Sequence, residues 1–289
     1  MKLEIPAPAG TAADDFMGSL TLEVEERDGR SVVRRQAHSG ALRALRPHYL
    51  DASGQVSVTA INPGGGYLGG DRYRLAAELG EKASLLLTTQ SATKVYRTPQ
   101  GPVHSAQEFT LADGARLESV PDGIIAYQGA TYRQDTVVHL HPGASLALAE
   151  TVTHGWSPDG TPFAFDEVSL RTEVHVDGRL VVLDNLLLRP DAEGLGALML
   201  DGRSHLGTLL VVDSRADDDA VAALRSTLGI VGEQPAGAPL TGISRLAVPG
   251  FVLRTLADST QAVEAVLFAA LGWMRAEWHG QGSLDLRKR

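Results

Sequence analysis

The chain contains no cysteine among its 289 residues. That excludes a structural disulfide and a thiolate metal site, so any metal must be held by His, Asp or Glu. Aromatic residues are scarce, at 5%, which leaves little for the stacking surfaces of a sugar-binding groove. No run approaches the roughly 18–20 apolar residues that a membrane helix needs. Residues 1–15 lack the apolar core of a signal peptide. A cytoplasmic location is therefore expected, with no membrane partner. Basic residues are outnumbered, 26 to 35, and the net charge is −9. A general nucleic-acid binder carries a basic field to neutralise phosphates, so nucleic acid is not an expected partner. The acidic balance suits solubility, and equally the handling of cations or basic surfaces. Gly-x-Ser-x-Gly and His-Glu-x-x-His are both absent, and no Ser-His-Asp constellation stands out.

What is present is apolar residue in quantity, at 43%, and 31 glycines. Many short strands joined by tight turns produce that balance. Leu20, Leu22 and Val24 alternate with polar residues, as do Val56, Val58 and Ala60. Further strand-like runs cover 85–89, 137–140, 146–149, 168–176 and 180–183. Alternation predicts one buried face; unbroken apolar runs predict two. A frame Leu-x-x-x-Ala-x-Leu recurs at 79–85, 111–117 and 140–146, with its alanines 32 and then 29 residues apart. A repeat of that size marks one supersecondary unit stacked on the next.

The last third changes character. A strand covers 205–212. Asp217, Asp218 and Asp219 then precede an apolar segment over 220–228, closed by Gly229. Acids at the start and glycine at the stop predict a helix. A loop is expected over 233–241. A hairpin follows around Pro249-Gly250, and a second helix over 261–278 carries an apolar stripe from Val263 to Met274. The expected fold is mainly β: a stack of sheets over 1–204 and a small α+β appendage with two helices over 205–289. The two parts are either packed together or one continuous domain.

Asn62-Pro63-Gly64-Gly65-Gly66-Tyr67-Leu68-Gly69-Gly70-Asp71 is the most unusual stretch. A phosphate loop needs Gly-Lys-Ser/Thr before a helix, and here a strand-like segment follows. The Gly-x-G-x-x-Gly match at 64–69 lacks the strand–turn–helix setting of a dinucleotide site. His139 and His141, two apart in a strand, face one side and can chelate a metal; a solvated strand face accounts for them as well. Glu118 and Glu150 occupy related places after the repeated frame. Burying an unpaired carboxylate costs several kcal/mol, so inward-pointing acids imply a wet cavity or a cation.

The glycine stretch resembles the Asn-Pro-x-Gly-Gly-x-x-Gly-Gly-Asp signature of the UreD (UreH) family of urease accessory proteins. Thr88-Thr89-Gln90-Ser91-Ala92-Thr93-Lys94-Val95-Tyr96-Arg97 is similar to the family's next block. Gly114-Ala115-x-Leu117-Glu118 with Pro121-Asp122 and 128–132 fits a third, and Glu150-x-x-x-x-Gly155-Trp156-Ser157-Pro158-x-Gly160 a fourth. The resemblance implies a β-helix-like, non-catalytic chaperone with no tightly bound cofactor. Its implied partners are UreF, the GTPase UreG through UreF, and the urease apoprotein. Nickel is implied in transit, through an internal polar route.

Asp71, Glu118, Glu150, Asp166 and Glu173 are the candidates for that route. Carboxylates hold a borderline ion loosely enough for release. Lys94, Tyr96, Arg97, Trp156, Trp273 and Trp278 are candidates for partner contact, being of types enriched at binding hot spots. Asn62, Pro63, Gly65, Gly69 and Gly70 are expected to be structural. Two rival readings are a cytoplasmic β-helical enzyme acting on carbohydrate and an unrelated protein-binding module.

Overall fold

The computed structural model describes residues 16–190, 200–230 and 237–286. The stretch 1–15, read above for a targeting signal, and residues 233–236 of the expected loop lie outside the described residues.

The strands are β1 (Gly18–Arg27), β2 (Arg30–Gly40), β3 (Arg43–Ala44), β4 (Val56–Ile61), β5 (Arg72–Leu79), β6 (Ser84–Thr89), β7 (Thr93–Val95), β8 (Val103–Leu111) and β9 (Arg116–Val120). They continue with β10 (Ile124–Ala126), β11 (Thr131–Leu140), β12 (Ser145–Val152), β13 (Glu167–Val176), β14 (Arg179–Leu188) and β15 (His205–Val212). Helix α1 (Asp218–Thr227), β16 (Leu240–Arg245), β17 (Gly250–Ala257) and helix α2 (Thr260–His279) complete the described chain.

From β4 to β13 the chain coils. Strands β4, β6, β9 and β12 are parallel neighbours in a ten-stranded sheet. Strands β5, β8, β11 and β13, met in between, are parallel neighbours in a seven-stranded sheet. Each coil thus gives one strand to each sheet, and the short parallel pair β7 and β10 adds a third side. The result is mainly β and β-helix-like, with two helices. Antiparallel strands finish both ends. Hairpin β1–β2 pairs beside β5, β14 pairs with β13, and β15 pairs with β12 from Leu146↔Val212 to Val152↔Leu206.

The repeated frame is the coil itself. Ala83, Ala115 and Ala144 are buried at the same corner of successive coils. The Arg116 N–H donates to the Ala83 carbonyl, and the Ser145 N–H to the Ala115 carbonyl, each at 2.8 Å. A small residue is needed because the coils stack at strand spacing with nothing between them.

Two cores result. Leu22, Val58, Leu85, Phe109, Leu117, Leu146 and Val174 fill the space between the sheets. Leu86, Ala149, Leu209 and Val211 point the other way, under Val263, Leu267 and Leu271 of α2. Strand β15 is buried at all eight positions for that reason, which explains the apolar run over 209–212. Each fully buried leucine contributes about 1.5–3 kcal/mol. The helices begin at side-chain caps. Asp217 accepts from the Ala220 N–H and Ser259 from the Ala262 N–H, and α2 stops at left-handed Gly280.

Two readings are corrected. Glu118 and Glu150 do not occupy related places. The register sets Glu118 against Ala147, so Glu150 lies three residues further along and faces the opposite side. His139 and His141 do not share a strand face either. β11 ends at Leu140, and His141 sits in the turn with Nδ1 3.0 Å from Asp113 Oδ1.

Candidate functional site: a polar cavity between the sheets

At one level of the inter-sheet core the inward side chains become polar. Ser105, Gln107 and Gln134 point in from the seven-stranded sheet, and Thr89, Ser119 and Glu150 from the ten-stranded sheet. Together with Tyr67, Tyr73 and Tyr132 they line a cavity of about 110 Å³. That is room for several waters, each needing about 10–15 Å³. Its mouth lies at exposed Gly65, Gln90 and Ser91, between the glycine-rich loop and the segment leading into β7.

The glycine loop shapes this wall. Asn62 Oδ1 accepts from the Gly64 N–H at 2.9 Å, closing a local turn; Pro63 is exposed beside it. Gly65 and Gly70 hold φ of +80° and +83°, which L side chains adopt only with strain. A Cβ on Gly69 would stand 2.8 Å from Thr98 Cα. Asp71 ends the loop and ties it down. Its Oδ2 accepts from the Leu68 N–H at 2.8 Å and from the Tyr73 hydroxyl at 3.0 Å.

From there polar and aromatic groups lead inward. Tyr73 stacks on Tyr67 with ring centroids 3.8 Å apart, and Tyr67 lies 6.4 Å from Tyr132. The Tyr132 hydroxyl donates to Gln134 Oε1 at 3.0 Å, and Gln134 Nε2 donates to Glu150 Oε1 at 2.7 Å. At the far edge Asp184 of β14 is ion-paired with Arg254 of β17, bridging the two sheets.

Burial pushes the Glu150 carboxyl up to about 7, and the charge of Asp184 adds to the rise, against the Gln134 hydrogen bond and Arg254. Near neutral pH this group therefore exchanges a proton. Burial also raises the tyrosines, Tyr67 to about 12 with help from Asp71, so all three remain neutral phenols. The carboxylates of Glu150 and Asp122, with amides and hydroxyls, make an oxygen-rich wall that can hold a divalent ion loosely. Among the described residues no three His, Asp or Glu side chains converge on a point that would hold a metal ion.

Of the five acids read from the sequence, Glu150 alone lines this cavity. Asp71 stands behind Tyr73. Glu118 is buried on the far side of the ten-stranded sheet, between Arg116 and Arg275. Asp166 is exposed in the turn before β13. Glu173 lies on the outer face of the seven-stranded sheet, with Arg171 and His175.

Lys94 lies at the mouth. Tyr96, Tyr127 and Trp156 form a ladder on the third side of the coil, with centroids 4.8 and 4.9 Å apart, and Trp156 is half exposed. Exposed Arg97 lies along Gly129. Trp273 and Trp278 pack on each other at 5.7 Å and against the helix core. Sequence reasoning passed over Tyr132 and Gln134. Their signal was present, since β11 carries polar or hydroxylated residues at three successive inward positions, Tyr132, Gln134 and Thr136.

Comparison with known proteins agrees with the motif resemblance. The family model described as UreD urease accessory protein matches residues 17–289. The urease accessory protein UreD of Paenarthrobacter aurescens (strain TC1) is 46% identical over 282 residues, covering 94% of each chain. That of Arthrobacter sp. (strain FB24) is 47% identical over 279 residues with the same coverage. That of Kocuria rhizophila is 42% identical, covering 98% of this chain and 92% of the relative. The chain belongs to the UreD family of urease accessory proteins.

Proposed function

We propose that this protein is a non-catalytic scaffold for urease maturation in the cytoplasm. It binds UreF, through UreF the GTPase UreG, and the urease apoprotein, and it assists nickel insertion by giving the ion an internal polar passage. The observation that carries this reading is the placement of Glu150 on the wall of a water-sized cavity, tethered by Gln134, with Asp122 as a second acid on the same wall. A nickel ion entering between the glycine loop and Gln90 meets amide, hydroxyl and carboxylate oxygens in place of part of its water shell. Glu150 exchanges its proton for the ion, and a wall with fewer than three converging acidic or imidazole ligands lets the ion go again. Lys94 lines the mouth, and a partner that hands over the ion would dock there and extend over Tyr96, Arg97 and Trp156 on the third side of the coil.

The test is co-expression of the chain with UreF, UreG and the urease subunits. The expected result is a co-purifying complex and active urease. With Glu150→Gln the complex persists and nickel content and activity of urease fall. Full activation by that variant would remove the passage, and failure to associate with UreF or urease would remove the scaffold.

A further inference from the structure

The two sheets end unevenly. Gln134 of β11 meets Glu150 of β12. Beyond that pair the seven-stranded sheet adds β13 and β14, while the ten-stranded sheet adds β15, β17 and β16. Asp184 of β14 reaches Arg254 of β17, so β14 stands over β17 and, among the described residues, no strand stands over β16. The side chains of β16 show the consequence. Its register sets Leu240 beside Leu256 and Gly242 beside Arg254, on the face turned toward the other sheet. Leu240 and Gly242 are both exposed, and a Cβ on Gly242 would meet nothing within 4 Å. Ile243, on the opposite face, is buried in the core under the helices.

Above this floor β14 is the last described strand of its sheet, laddered to β13 alone. A strand with one partner leaves alternate N–H and C=O groups pointing outward. The bulge opposite Val174 and His175 ends at Val182, so residues 182–188 run unbroken. Of the eight large apolar side chains exposed among the described residues, three (Leu180, Leu183 and Leu187) belong to β14. The strand at the other end of the same sheet, β2, exposes Arg34, Arg35, Gln36 and His38 instead. Charges on an edge strand turn a foreign strand away, and leucines do not.

We propose that the free edge of β14, over β16, takes one extended, uncharged segment of another protein with apolar residues at alternate positions. The segment bonds along 182–188 and completes the seven-stranded sheet by strand addition. Strands lie about 4.8 Å apart and packed sheets about 10 Å apart, so the overhang of β16 leaves a space one strand wide. Inward residues of the segment cover Leu240 and the gap at Gly242. Outward residues lie beside Leu183 and Leu187. The one ionisable side chain in 182–188, Asp184, is already neutralised by Arg254, so the edge offers a charged occupant no free counter-ion. Antiparallel pairing with the β14 of a second copy would bring two overhanging β16 strands into the same place. The site is remote from the mouth at the glycine loop and does not depend on the passage proposed above.

The experiment is fluorescence anisotropy of the full chain with a labelled peptide, Lys-Lys-Val-Thr-Val-Thr-Val-Thr-Val-Lys-Lys. The same peptide N-methylated throughout its Val-Thr core keeps the charge and loses the backbone donors. Amide hydrogen exchange of the chain is followed beside it. The expected result is saturable binding of the first peptide alone, with exchange slowed at alternate amides of 182–188. Affinity falls about tenfold or more when Leu183→Lys and Leu187→Lys are combined; both leucines are exposed, so the variant keeps the fold. Absence of binding, equal binding of the N-methylated peptide, or unchanged affinity in the lysine variant would overturn the proposal. So would edge amides already protected in the free chain, whether by its own segments or in a dimer detected by sedimentation at the same concentration.

Discussion

Glu118 and Arg275 form an ion pair buried to 2% and 1% exposure, joining the middle of the ten-stranded sheet to the last turns of helix α2. Arg116 shares the carboxylate from the sheet side. Gln55 bridges the pair, with its Oε1 accepting from Arg275 Nη1 at 3.0 Å. A carboxylate so placed holds the helix on the coil and has no access to the cavity. Removing one partner of a buried pair strands the other, at about 3–5 kcal/mol. Glu118→Ala should lower the unfolding free energy by that amount in urea melts. Arg275→Met should cost less in the Glu118→Ala background than alone, because the two share one network.

Glu150 gives a pH signature of its own. Its folded value is raised from the ordinary 4.5 to about 7, so the folded state holds the proton more tightly than the unfolded chain. The stability linked to this group is fully present below the unfolded value, about 4.5, and is lost as pH rises through about 7. Urea melts at pH 5 and pH 8 should show the unmutated protein losing more stability over that interval than Glu150→Gln. Equal losses would mean that the carboxyl is already ionised at pH 5.

Gly66 is a packing position against the aromatic ladder. A Cβ there would stand 2.4 Å from Tyr96 Cε2 and 3.0 Å from the Lys94 carbonyl oxygen. Gly66→Ala should displace the Tyr96 ring at a cost of about 1–3 kcal/mol. In a Tyr96→Ala background the same substitution should cost measurably less, since the ring supplies the closest contact.

The coil corner tolerates no bulk. Ala115 is fully buried between Ala83 and Ala144 on the coils either side. Ala115→Leu should destabilise by about 1–3 kcal/mol through overpacking. The surface substitution Lys82→Ala, in the turn just before Ala83, should change the melting temperature little. Thermal unfolding followed by circular dichroism separates the two.

Much of this fold is written in local pattern. The lack of cysteine, the period-two alternation of 20–24 and 56–60, the recurring alanine frame and the caps at Asp217 and Ser259 each depend on a few neighbouring residues. Steric preference and hydrogen-bonding chemistry act at that range, so the strands, the stacking and both helices are legible along one line of residues. The Asn62–Asp71 loop is legible in the same way, since positive φ and close backbone approach leave glycine as the residue that fits.

The site belongs to the tertiary structure. Alternation states that a strand has two faces, but not which one meets the cavity. That choice is made by the register between coils, through loops of unequal length, and a shift by an odd number of residues reverses it. Glu118 and Glu150 end on opposite faces for this reason. His139 gains His175, 36 positions away, as its neighbour, while His141 leaves the strand. Asp71, read as a lining acid, tethers the loop because Tyr73 and the Leu68 N–H stand between it and the cavity. Residue type and spacing set what each coil is made of, whereas the stacking of one coil on the next set which carboxylate faces the water.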